Sequence, residues 1–276
     1  DDHIWRLNRG GHDPHKVYAA YHAAVNHKGQ PTVILAKTVK GYGMGEAGEA
    51  QNITHQQKKM GTTSLKAFRD RFKLPLTDEQ VENLEYLKPG EGTPEHQYMQ
   101  ARREALGGYL PARRQKAEAL KVPPLSIFDA LLKASAEGRE FSTTMAFVRL
   151  LGVLLKDKQL GKHVVPIVAD ESRTFGMEGL FRQIGIWSSV GQLYTPQDRD
   201  QLMFYKEDKN GQILQEGINE AGAMCSWIAA ATAYSTHGVP MIPFFIYYSM
   251  FGVQRTGDLW WAAGDSRARG FLLGGT

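Results

Sequence analysis

Residues 211–255 constrain the fold of this chain more than any other stretch. Between Ala221 and Ala233 almost nothing could pair with a charge, and the small residues Ala223, Ser226, Ala229, Ala230 and Ala231 let such a helix lie tightly against a sheet. Pro240 closes a short linker, and MIPFFIYYSMF, from Met241 to Phe251, then reads as a buried strand running into an aromatic cluster. A single carboxylate, Glu220, stands at the mouth of the helix, facing Tyr247, Tyr248 and Phe251 in this reading. Burying a carboxylate is costly unless it is hydrogen-bonded or shares a proton. A second reading makes Glu220 a helix cap that stabilises the N-terminus through the dipole. The residues alone leave both readings open.

The preceding chain alternates between helical and strand patterns. Gly10-Gly11-His12-Asp13-Pro14 is a turn with Asp13 as N-cap and Pro14 in the first helical position, so residues 15–27 are expected to be helical. The run PTVILAKTV, residues 31–39, predicts a strand of the kind buried in parallel sheets. Gly43-Met44-Gly45-Glu46-Ala47-Gly48 follows it and matches a dinucleotide-binding fingerprint in letters only, because polar residues come next where an apolar helix should open. A mobile functional loop over residues 40–59 is the better reading, with His55 near its tip and Asn52 and Gln56 beside it. A lone loop histidine is more often a surface residue. Helices are expected over residues 64–72, 77–84 (a Thr77/Gln80 capping box) and 94–106. The basic run before Pro123 marks a domain boundary.

Beyond that boundary, residues 125–137 and 142–156 read as amphipathic helices, and HVVPIVA, residues 163–169, as a second buried strand ending in Asp170-Glu171. Adjacent carboxylates at the end of such a strand lie where α/β folds place their sites, although a polar strand-end turn would look the same. Residues 187–208 form a long polar loop, of a length usually functional or disordered. A helix over 256–268 and a strand over 271–273 complete the pattern.

Composition excludes several classes. A net charge of +4 over 276 residues, with the basic residues concentrated in 102–116, is too small a stripe for a nucleic-acid surface. His12, His15, His22 and His27 have no zinc-ligand spacing, and no residue is assigned to a metal. Cys225, the sole cysteine, sits in the apolar helix as a small hydrophobe, which fits a reducing compartment. No signal peptide is seen, and the apolar runs are too short for a membrane span. Neither end looks like a natural terminus, so a segment of a larger protein is expected.

Several motifs occur in an order that resembles the homodimeric bacterial pyruvate dehydrogenases, thiamine-diphosphate enzymes of the transketolase-like superfamily. They are LNRGGHDP, KTVKGYGMG, NITHQ, ADESRTFGMEGLFRQIGI, YTPQDR, YKEDKNGQILQEGINE and YYSMFGVQR, and they run along essentially the whole chain. The resemblance implies an α/β thiamine-diphosphate-binding fold, with parallel sheets flanked by helices and parts of two such domains. Residues 1–120 would be the C-terminal part of the diphosphate-binding domain with its inner active-site loop and linker. Residues 121–276 would be the N-terminal part of the pyrimidine-binding domain.

The resemblance also implies roles. Glu220 matches the carboxylate that bonds the aminopyrimidine ring, and Ile218, Tyr248 and Phe251 match the pocket around that ring. Asp170 and Glu171 would lie beside the cofactor, with Glu171 as an acid or hydrogen-bonding group. Lys40 would approach the reacting end of the substrate, Tyr248 would reach a substrate oxygen, and His55 would face the substrate side. The Mg²⁺-diphosphate motif of the family is not found, so the metal ligands would lie outside this segment. The implied reaction is oxidative decarboxylation of pyruvate in the cytoplasm by a homodimer. The acetyl unit would pass to the lipoyl domain of a dihydrolipoyl acetyltransferase core. A transketolase-type ketol transferase and a non-enzymatic interaction module are the competing readings.

Overall fold

A computed structural model of the chain describes residues 10–109, 114 and 116–275. The acidic start and the apolar Ile4, Trp5 and Leu7 predict a short helix over residues 1–8, which lies outside the described residues. The chain divides into two compact units, residues 1–109 and 110–276.

Among its described residues the first unit is helical and turn-rich. Helix α1 spans Pro14–Asn26; Asp13 caps it, accepting from the His15 and Lys16 amides, and Pro14 occupies the first turn. Helix α2 (Thr62–Arg71) is followed by α3 (Asp78–Glu82), where the Thr77/Gln80 capping box forms with both reciprocal bonds. Helix α4 spans Pro94–Ala105 behind an N-cap Thr93. Residues 31–39, expected as a strand, join no ladder. A parallel strand is stable only beside a neighbour, and no other strand occurs among the described residues of this unit. Its apolar side chains are accordingly uncovered, with Val33 82% and Leu35 92% exposed.

The second unit is built on a four-stranded parallel sheet in which Leu214–Gln215, Val164–Val168, Ile242–Tyr248 and Phe271–Gly275 lie side by side in that order. A short 3-10 turn at Leu125–Phe128 leads into the single-turn helix α5 (Asp129–Leu132), far short of the helix expected to residue 137. Leu125 and Leu132 stay largely exposed, so no buried face offsets the cost of nucleation. Helix α6 (Thr143–Lys156) starts at an N-cap Ser142. Strand β1 (Val164–Val168) is buried at every position and occupies an inner place in the sheet. After it come α7 (Glu178–Gln183), β2 (Ile186–Trp187), β3 (Glu207–Asp208) and β4 (Leu214–Gln215). Helix α8 is Glu220–Thr236, β5 is Ile242–Tyr248, α9 is Val253–Asp265 and β6 is Phe271–Gly275.

Alternation along the inner strands explains why both faces are covered. Val164 and Val168 of β1 and Phe244 and Ile246 of β5 pack with Val148, Leu151 and Leu155 of α6 and with Leu180 and Phe181 of α7. Val165, Ile167, Phe245 and Tyr247 point the other way, onto Ala223, Met224, Trp227 and Ala231 of α8 and Ala263 of α9. Each fully buried side chain of this size contributes about 1.5–3 kcal/mol. The architecture is therefore α/β, a parallel sheet flanked by helices, and the sheet directs the carboxyl ends of its strands to one edge.

Candidate active site

That edge gathers most of the site residues read from the second unit. Tyr248 ends β5, Asp170 and Glu171 follow β1, and Glu220 follows β4 by five residues; Val168 at the end of β1 is in register with Gln215 of β4 and Ile246 of β5. The Ser172 hydroxyl, 1% exposed, donates to Gln215 Oε1 at 3.2 Å and ties the turn after Glu171 to β4.

Glu220 is 6% exposed. Asn219 caps α8 by accepting from the Gly222 amide at 3.0 Å, which sets Glu220 in the first turn, where the helix dipole favours a negative charge. Glu220 thus joins the two readings the sequence leaves open, standing in the first turn with its carboxylate buried. It is not alone there. Arg255 Nη1 donates to Glu220 Oε1 at 2.7 Å, and among the described residues Oε2 makes no hydrogen bond. The Arg255 guanidinium also lies 3.9 Å from the centre of the Phe251 ring. Phe251 stands edge-on to Tyr248 at 6.1 Å, and Tyr248 packs on Phe175 at 5.3 Å. Glu220, Phe251 and Tyr248 are thereby brought together through a residue that the sequence reading did not single out.

The placement of Arg255 depends on local irregularity. Gly252 precedes α9, and a side chain there would begin 2.3 Å from the Tyr247 ring, so the chain can pass at this point only as glycine. Thr256 departs from helical geometry, and its buried hydroxyl donates to Gly252 O and accepts from Trp260 Nε1, both at 2.8 Å. The first turn of α9 is bent just after Arg255.

Other residues are less engaged. Ile218 is 78% exposed, Asp170 is exposed, and the half-buried Glu171 turns back to accept from the Asp170 amide at 2.9 Å. The 187–208 segment has anchors of its own. It is closed by the parallel β2/β3 pair, Asp198 accepts from Arg173 and from the Tyr205 amide, and the Tyr194 and Tyr205 hydroxyls donate to Glu207 Oε1 at 3.3 and 3.1 Å. Burial, followed by the Glu207 carboxylate, holds the Tyr205 hydroxyl well above the ordinary phenol range, so it remains a donor.

Lys40 and His55 lie in the first unit, both exposed. Residues 43–48 form turns and a short 3-10 helix (Gly45–Ala47), not the start of an apolar helix. His55 ends a second 3-10 helix, Asn52–His55. The base of this loop is pinned by Glu49, which accepts from the Gly43 and Gly45 amides at 3.2 Å each and pairs with Arg71 at 2.5 Å. Among the described residues no group of three or more His, Cys, Asp or Glu side chains could hold a metal.

A buried acid and neighbouring aromatic rings lie at the carboxyl edge of a parallel sheet, where open α/β domains generally place their ligand sites. Residues 126–276 match the family model of the pyruvate dehydrogenase E1 component middle domain, and the chain belongs to that family. It is 73% identical over 276 residues to the pyruvate dehydrogenase E1 component of Cupriavidus necator, 67% over 276 to that of Pseudomonas aeruginosa, and 61% over 277 to that of Escherichia coli. Each comparison covers 100% of this chain and 31% of the relative, so the chain spans about a third of the curated relatives it matches. Among solved structures, transketolase from Leishmania mexicana overlays 94% of this chain and 35% of its own at 16% identity, with a TM-score of 0.46.

Proposed function

We propose that this chain is part of a thiamine-diphosphate-dependent pyruvate dehydrogenase that decarboxylates pyruvate oxidatively and passes the acetyl unit to the lipoyl group of a dihydrolipoyl acetyltransferase. The observation that carries the reading is Glu220, a carboxylate 6% exposed whose Oε1 is engaged by Arg255 while Oε2 is left for a ligand. The donor set fits the aminopyrimidine end of the cofactor: one available carboxylate oxygen beside the aromatic rings of Tyr248 and Phe251. When bound, the cofactor supplies the electron sink for decarboxylation of a 2-oxo acid.

In this reading Glu220 Oε2 would hydrogen-bond to ring nitrogen N1′, and Arg255 fixes which oxygen does so. Phe251 and Ile218 wall the ring and exclude water. Tyr248 offers its hydroxyl to a substrate oxygen, and Asp170 and Glu171 complete the polar side. Lys40 approaches the reacting end of the substrate. His55 gives a proton to one dithiolane sulfur as the S–S bond opens and the other sulfur takes the acetyl unit. Residues 1–120 belong to the diphosphate-binding domain and 121–276 to the pyrimidine-binding domain. Mg²⁺ and its ligands lie elsewhere in the full-length protein. A homodimer joins the diphosphate and pyrimidine sites from different subunits and works in the cytoplasm. For the described residues, no helix is long and apolar enough to cross a membrane.

The test uses the full-length enzyme with pyruvate, in one assay with an artificial electron acceptor and in another with a lipoyl domain. Glu220→Gln keeps the size but removes a titratable group and is expected to lose on the order of a hundredfold in both. His55→Ala is expected to lose most of the lipoyl reaction and keep much of the other. Wild-type rates for Glu220→Gln would remove it from the mechanism, and equal losses for His55→Ala in the two assays would remove its role as proton donor. Turnover of a sugar phosphate in place of pyruvate would favour ketol transfer.

A further inference from the structure

The turn that carries Lys40 is clasped from outside. Residues 39–42 form a turn closed by the Tyr42 amide on Val39 O at 3.2 Å, with Lys40 and Gly41 at its apex. His12, 27 residues upstream of Val39, holds both ends. Its Nε2 accepts from the Val39 amide at 2.6 Å, and its ring stacks on Tyr42 with centroids 3.9 Å apart and planes 7° from parallel. A backbone N–H can only donate, so Nε2 carries the lone pair and Nδ1 the proton. Around the clasp, the Gly11 amide donates to Lys37 O at 3.1 Å, and a Cβ on Gly11 would sit 2.6 Å from that oxygen. Asp13 then caps α1 and fixes the direction in which His12 leaves the helix. The segment GGHDP thus divides into two glycines, the second needed for close approach, one clasp, one cap and one first-turn proline.

We propose that His12 is a positioning residue for Lys40, setting the turn from which the Lys40 ammonium reaches the reacting end of the substrate. The proposal rests on the assignment of Lys40 made above. It requires two separable contacts, an acceptor for Val39 and a flat ring for Tyr42. His12→Gln keeps an acceptor and loses the ring, His12→Phe keeps a ring and loses the acceptor, and His12→Ala loses both.

The experiment uses full-length enzyme and two readouts, hydrogen exchange at the Val39 amide and steady-state turnover of pyruvate, in wild-type and Lys40→Ala backgrounds. Exchange at Val39 is expected to quicken in His12→Phe and His12→Ala and to stay slow in His12→Gln. Turnover is expected to fall about tenfold in His12→Ala and less in the two partial variants, as loss of one half-buried hydrogen bond and one aromatic stack implies. In the Lys40→Ala background, His12→Ala should cost nothing further, because its effect runs through Lys40. Two results overturn the proposal: wild-type turnover in His12→Ala beside an impaired Lys40→Ala, or the same tenfold loss with and without Lys40. Wild-type turnover in Lys40→Ala itself would instead overturn the assignment of Lys40. If His12→Ala does not fold, the Gln and Phe variants carry the same comparison.

Discussion

Arg255 supplies the partner that Glu220 needs if it is to be buried at small cost. A hydrogen bond to a charged group contributes about 1.5–3 kcal/mol, and the 46% exposure of the Arg255 side chain moves the expectation to the low end, because water can partly replace it. Arg255→Ala in the full-length enzyme is therefore expected to weaken thiamine diphosphate binding about tenfold, since Glu220 loses the contact that fixes which oxygen faces the ring. Arg255→Lys should recover part of this, limited by the loss of the planar contact with Phe251. Cofactor saturation curves measure both, and an unchanged curve for Arg255→Ala would refute the role. Glu220 was legible in the sequence because a carboxylate followed by an uninterrupted apolar helix has no local partner. Arg255 was not. Its pairing spans 35 residues, and its direction depends on the bend at Thr256, which no periodicity reveals. His12 was hidden likewise, since clasping a turn 27 residues away leaves no mark on spacing.

At the scale of elements, local chemistry was the readable part. Asp13, Thr77 and the capping box of α3 do what their positions announce, because a cap is decided within four residues. Residues 31–39 and 125–137 were misread for the opposite reason: a strand needs a ladder and a helix needs a face to bury, and neither condition is written in the segment itself. The 40–50 loop lies between these cases. Its glycines were visible, while the Glu49 pin closes only when Arg71 of α2 arrives from 22 residues away. The Arg71 hydrogen bond, helped by the Gly45 and Gly43 amides, holds the Glu49 carboxyl below the usual 4.5. With the folded value lower than the unfolded one, the pin stabilises the loop fully above that ordinary value and is lost as pH falls through the depressed one. Hydrogen exchange at Gly43 and Gly45, corrected for intrinsic rates, should show constant protection from neutral pH down to about 5 and a loss below 4.5. Glu49→Gln should remove that pH step and lower protection at neutral pH. A step that persists in the variant would assign it to another group.

For the molecule as a whole, the decisive feature is an element with more apolar surface than its own domain covers. Helix α8 is apolar on every side, yet Ala221, Cys225 and Ala229 lie on an exposed stripe. Beside it Ile218 is 78% exposed, and on the neighbouring α9 Val253 and Trp261 are 53% and 79% exposed. A helix apolar all round belongs inside a larger core, and small residues along the stripe let a second backbone approach closely. The proposed homodimer gives this surface an occupant, since a site shared between subunits must bring the Glu220 end of α8 to the boundary. Interfaces of this kind bury about 1,600 Å² or more, and one charge placed at the centre cannot be desolvated without several kcal/mol of penalty. Ala229→Glu in the full-length enzyme is therefore expected to shift the dimer toward monomer at micromolar concentration and to lose activity in proportion. Ala229→Ser, small and able to bond its own helix, should leave both nearly unchanged. Sedimentation velocity across a concentration series, with activity measured on the same samples, is the measurement. A fully dimeric and active Ala229→Glu enzyme would place the subunit boundary elsewhere. A monomer that kept its activity would overturn the idea that the site is shared.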